Sequence, residues 1–141
     1  MSNNGLPKTA AVRLNHVALI CADLEACEAF YAGVLGLVVV WRPDPDNVYL
    51  SSGSDNLALH QGTPQPGGAL DHIGFSVASA GDVDVWHERL QAARVRIAAA
   101  PRTHRDGSRS LYCNDPEGTL VQLIFLPPQA LSPAVQERRG P

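Results

Sequence analysis

The chain has 141 residues, 45% of them apolar and 18% charged, with a formal net charge of −3. That size supports one domain with a real core, and the mild acidity argues against nucleic acid as a partner, which would need a basic face. No apolar run reaches the length of a membrane span, and the first ten residues hold no apolar core of a signal peptide. The three cysteines form no CxxC pair, so reduced, structural thiols in a cytoplasmic protein are expected.

Residues 1–11 read as a loose tail. The aliphatic and β-branched run up to Ile20 predicts a strand, on which Leu14, His16 and Ala18 share one face and Asn15, Val17 and Leu19 the other. Asp23 is a candidate N-cap, and Leu24, Cys27, Phe30 or Tyr31, and Val34 recur at helical spacing, so an amphipathic helix is expected over about 23–35. Gly33 and Gly36 are candidates for its C-terminal stop. The dense run Leu37 to Trp41 reads as a buried strand, and Pro43 to Asn47 as a turn. Two further strands are expected over 48–51 and 57–61, around Ser52-Gly53-Ser54-Asp55-Asn56. Gly62 to Gly68 is rich in residues that end regular structure and reads as a linker.

The order then repeats. Leu70 to Val77 predicts a strand, 82–94 a helix with Val83, Trp86, Leu90 and Ala93 along one face, and 94–98 a weak strand. A polar loop is expected over 101–107, a strand over 108–113, a turn at Asp115-Pro116-Glu117-Gly118, and a last strand over 119–126. Beyond it, 127–141 reads as a second tail. The expected fold class is therefore α+β: two βαβββ modules, 12–61 and 70–126, joined by a linker at 62–69.

Leu14-Asn15-His16-Val17-Ala18-Leu19 and Leu70-Asp71-His72-Ile73-Gly74-Phe75 are near copies, with the two histidines 56 residues apart. A lone strand histidine is usually a satisfied core residue. Two at equivalent points of a repeat, on matching faces, point to a shared site. Gln122 is an amide in an apolar strand, and leaving it buried and unpaired would cost about 1–3 kcal/mol, so it needs a partner. Arg94, Arg96, Arg102, Arg105 and Arg109 cluster with His104 in one short segment. The bland reading is a solvated hairpin. The functional one is that Arg109, or one of the loop arginines, clamps a substrate carboxylate or phosphate bidentately. Tyr112 and Trp41 either line a cleft or belong to the core.

The module order, the histidine in each first strand and the Asp-Pro-Glu-Gly turn before the last strand together resemble the vicinal oxygen chelate superfamily, the glyoxalase, bleomycin-resistance and extradiol dioxygenase group. The resemblance covers about residues 12–126. It implies a barrel-like cleft, one divalent metal (Zn, Ni, Fe, Mn or Co), a small oxygen-rich substrate and a homodimer. It places His16 and His72 as metal ligands and Gln122 where the family carries a ligand Glu. In the first module the best register puts Ala58 at the matching position, and a slip of two residues puts His60 there, as a fourth ligand or a base. The implied function is a metal-dependent lyase, isomerase or dioxygenase. The alternative is a metal-free protein that sequesters a small molecule such as an antibiotic.

Overall fold

The computed structural model describes residues 14–66, 68 and 70–127, so the two expected tails lie outside the described residues except for Pro127. The chain runs β1 (His16–Cys21), α1 (Leu24–Glu28), a π-helical segment (Ala29–Val34), β2 (Val38–Asp44), β3 (Asn47–Ser51) and β4 (Asn56–Gln61). The second half repeats it with β5 (Ile73–Ser76), α2 (Ala80–Ala92), β6 (Ile97–Thr103), β7 (Arg109–Asn114) and β8 (Leu120–Phe125). Each half forms one mixed four-stranded sheet, in the orders β1-β4-β3-β2 and β5-β8-β7-β6, with the first and last strand of each module parallel. This is the α+β arrangement the repeat implies.

Period-two alternation sorts each sheet into two faces. Val17, Leu19, Cys21, Leu57, Leu59, Val48 and Leu50 turn one way and belong to the core or pack against it. Ile73, Phe75, Leu111, Cys113, Val121 and Leu123 do the same in the second sheet, and all of these residues join one cluster. The opposite faces carry His16, Ala58 and His60 in the first sheet and Gly74, Tyr112 and Gln122 in the second.

The first helix departs from a regular α-helix. Asp23 caps it, its side chain accepting from Ala26 N at 3.0 Å, but after Glu28 the turns widen and Leu35 N donates to Phe30 O at 3.0 Å. A widened turn lets two successive side chains face inward. Phe30 and Tyr31, alternatives for one helical position in the sequence, are both buried and meet edge to face at 4.9 Å. Ser79 and Asp82 close a reciprocal capping box at the start of α2.

The modules are clasped by the turn at 115–118. Glu117 accepts from Ala22 N and Asp23 N at 2.9 and 2.8 Å, and the Tyr31 hydroxyl donates to Asp115 at 2.8 Å. Asp115 also accepts from Glu117 N and Thr119 N.

Three expectations are corrected. β2 is exposed along its whole length, with Val38 64% and Trp41 59% accessible; it is one of the two edge strands of its sheet, and β-branched composition reports strand propensity rather than burial. It also runs on to Asp44, which shrinks the expected turn to Pro45 and Asp46. β6 extends to Thr103, so Pro101, Arg102 and Thr103 belong to a strand rather than a loop.

Candidate functional site

His16 and His72 line one cavity of about 390 Å³, together with Asn56, Gly74 and Phe75. Each ring is held through its Nδ1. His16 Nδ1 is 3.0 Å from Asn56 Oδ1, and His72 Nδ1 is 2.6 Å from Asp71 Oδ2. Both partners are acceptors, so Nδ1–H donates to them, and in the neutral ring Nε2 carries the lone pair. A metal-binding histidine typically shows this outer bond, which fixes tautomer and ring direction.

Gln122 lies beside this cavity. Its Nε2 donates to the Tyr112 hydroxyl at 3.0 Å, and a side-chain carbon at position 74 would stand 3.5 Å from its Oε1. The absent side chain of Gly74 therefore opens the path between His72 and the Gln122 amide oxygen. Tyr112 in turn meets the His72 ring edge to face at 5.5 Å. His16, His72, Gly74, Gln122 and Tyr112 are thus contiguous.

The strand register decides between Ala58 and His60. Ala18 pairs with Ala58 as Gly74 pairs with Gln122, so Ala58 is the repeat counterpart of Gln122. His60 pairs with Ile20, about 13 Å along the strand from the level of His16. It does not line the His16–His72 cavity. Its Nδ1 is 2.5 Å from Asn47 Oδ1 and its ring lies edge-on to Tyr49, which stacks on Trp41 at 5.0 Å. Trp41 thus shares a face with His60 but belongs to an exposed aromatic ladder away from the paired histidines.

Arg109 is placed on the other side of its sheet. Its guanidinium grips Asp84 of α2 bidentately, at 3.0 and 2.7 Å, and donates to Thr103 Oγ1. That contact holds the Asp84 carboxyl below the usual range and raises Arg109. Arg102, by contrast, pairs with Ser110, two residues from Tyr112 on the same face. It lines a second groove of about 560 Å³ together with Tyr112 and Gln122.

Cysteine chemistry finds no support. All three thiols are free and buried, burial pushes Cys21 and Cys27 up, and Cys113 is pushed up to about 11. Tyr31 is likewise pushed up by burial and by Asp115. Among the described residues no three His, Cys, Asp or Glu side chains converge as metal ligands. The pair His16 and His72 gains its third candidate only if an amide is counted.

Sequence reading missed Asn56, Asp71 and Asn47, which brace the three rings. Asp71 stood in the repeated motif; Asn56 and Asn47 carried no signal without the register. It also grouped Arg109 with Tyr112, although three positions apart on one strand means opposite faces.

The fold agrees with that of known proteins. The chain is 29% identical over 131 residues to an ethylmalonyl-CoA/methylmalonyl-CoA epimerase of Cereibacter sphaeroides, covering 79% of this chain and 96% of that one. The crystal structure of a lactoylglutathione lyase from Agrobacterium tumefaciens superposes with a TM-score of 0.70 at 25% identity, over 82% of this chain and 95% of that one. That of the fosfomycin resistance protein FosX from Listeria monocytogenes gives 0.73 at 22% identity, over 86% and 99%. Residues 13–123 match the family described as the Glyoxalase/Bleomycin resistance protein/Dioxygenase superfamily, and the chain belongs to it, within the vicinal oxygen chelate group.

Proposed function

We propose that the protein is a metal-assisted lyase or isomerase, epimerases included, acting on a small oxygen-bearing molecule. One observation carries the reading: two histidines at matching points of a repeat line one cavity, each with Nδ1 held by an acceptor, which leaves Nε2 of the neutral ring for a ligand. His16, His72 and the Gln122 amide oxygen would hold the ion. Two imidazoles and an amide are neutral donors and suit Zn, Ni or Co better than Mg or Ca. The ion would supply Lewis acidity towards a substrate oxygen.

Asn56 and Asp71 aim the two rings, and Tyr112 holds the Gln122 side chain by accepting from its Nε2. Dioxygenase chemistry fits less well, because non-haem iron typically takes two histidines and a carboxylate, and the two last-strand positions are Ala58 and Gln122. The last strands thus supply no carboxylate base, and the carboxylate that lines the cavity, Asp55, accepts from Ser51 Oγ and Ser52 N. His60, set along the sheet and outside the His16–His72 cavity, is assigned to the cleft wall rather than to the ion.

A homodimer and a reducing compartment belong to the same reading. The exposed edge strand with Val38, Val40 and Trp41 supports the first, and three free buried thiols support the second. The absence of a carboxylate at Ala58 and Gln122 favours a second reading, a metal-free protein that sequesters a small molecule in the same cleft.

Elemental analysis of untagged protein, before and after exposure to Zn, Ni, Co, Mn and Fe(II), separates the two. The expected result is near-stoichiometric metal in the wild type, lost in His16→Ala/His72→Ala. No retained metal under any of these conditions would sink the enzyme reading and leave the sequestering one.

A further inference from the structure

The groove beside Gln122 is chemically unlike the histidine cavity. The cavity is lined chiefly by apolar side chains around two imidazoles, whereas the groove carries Arg102, Arg105, His104 and Tyr112. Among the described residues, neither Arg102 nor Arg105 forms an ion pair, while Arg109 and Arg42 both do. The groove's one carboxylate, Asp106, is turned to its own loop, accepting from Ser108 N and Oγ at 2.9 and 2.6 Å. Two guanidiniums against one internally occupied carboxylate leave the groove net positive.

A second feature points the same way. The Tyr112 hydroxyl accepts from Gln122 Nε2, so its own proton is left for another acceptor. Ser110, on the same face as Arg102, is taken up by His104 Nε2 at 2.9 Å, which braces that ring at the groove wall. A guanidinium fork and a phenolic O–H that line one groove supply the donors a compact oxyanion needs. Its position matters as well: Tyr112 and Gln122 line the groove while touching His72 and facing Gly74 of the cavity.

We propose that Arg102 and Tyr112, with Arg105 at the rim, bind an oxyanion terminus, a carboxylate or a phosphate, of the same small molecule whose reacting oxygen lies in the His16–His72 cavity. The last part of this rests on the function proposed above; the anion site itself does not. Arg109, gripped by Asp84 on the far face of the sheet, takes no part.

The test is a titration of the metal-free protein with inorganic phosphate and with acetate, followed by NMR at the arginine Nε–H groups and the Gln122 side-chain amide. The expected result is a saturable shift at Arg102 and Gln122 with at least one anion, and the stronger of the two identifies the terminus. Arg102→Gln should weaken binding about tenfold or more, and Tyr112→Phe several-fold, while Arg96→Gln, the same charge change outside the groove, leaves it intact. No shift with either anion, equal binding in wild type and Arg102→Gln, or an equal loss in Arg96→Gln would each overturn the proposal. Metal content measured on Arg102→Gln keeps the two readings apart. Metal retained with anion binding lost supports separate sites, whereas anion binding in a protein that takes no metal leaves only the function proposed above overturned.

Discussion

The two modules share one architecture and have put it to different uses. In the first, the face that carries His16 continues through Ala18, Ala58 and Ile20 to the Trp41–Tyr49–His60 ladder, with Asn56 and Asn47 as its polar members beside the histidines, and Ile20 and Trp41 are half exposed or more. In the second, the face beyond His72 continues through Gln122 and Tyr112 to Arg102, polar and basic. The bracing of the histidines differs too. His16 is held by a neighbour across the sheet, Asn56, and His72 by the residue before it, Asp71. A repeat therefore preserves the strand frame and the pair of imidazoles, while everything two or more residues further along each strand is free to diverge. The modules are joined rather than merely adjacent, since the turn of the second completes the helix start of the first.

The largest expected effect of breaking this pairing comes from Asp115→Ala. It orphans the buried Tyr31 hydroxyl and removes the acceptor for two backbone N–H groups, at roughly 1–3 kcal/mol for each group left unsatisfied. Chemical denaturation should show a loss of about 3 kcal/mol or more; a change below about 0.5 kcal/mol would mean that the clasp contributes nothing. Gln122→Glu sharpens the comparison at the site. A carboxylate in the second module, opposite the side-chain-poor Ala58 position, should tighten Zn or Ni binding about tenfold. Competition against a chromogenic chelator measures it, and unchanged affinity would remove Gln122 from the ligand set.

The smallest effect concerns the outer face of the second module. Asp84 has its carboxyl lowered by Arg109, so its contribution is fully present above the unfolded aspartate value of about 3.9 and is lost as pH falls through the lower folded value. Asp84→Asn should lower stability slightly at neutral pH, leave it unchanged below the folded value, and so flatten that acid limb of a stability–pH curve. An unchanged limb would show the exposed pair to be energetically silent.

Much of the site was legible because strand alternation is a local property. The copies around His16 and His72 and their shared face follow from sequence and are where the cavity forms, and the unusual amide at Gln122, equally legible, lies beside it. The same alternation, applied to the 108–113 strand, separates Arg109 from Tyr112, so that division too was open to reading. Arg102 was not, because its segment, with Pro101 at its centre, carries loop composition yet is held as a strand by pairing with β7.

By itself, then, the sequence determined the two-module order, the Asp23 cap, the alternation of faces along the first strand and the pair of histidines, all of which depend on neighbours a few positions away. Only the tertiary structure decided which strand lies at an edge, leaving Val38 to Trp41 uncovered, and which of Ala58 and His60 stands level with Gln122. It likewise decided that Arg102 and not Arg109 shares a face with Tyr112. Each of these depends on sheet order and register, set by pairing between segments distant in the chain, and a shift of one residue reverses the face while a shift of two moves a side chain by more than 6 Å along it.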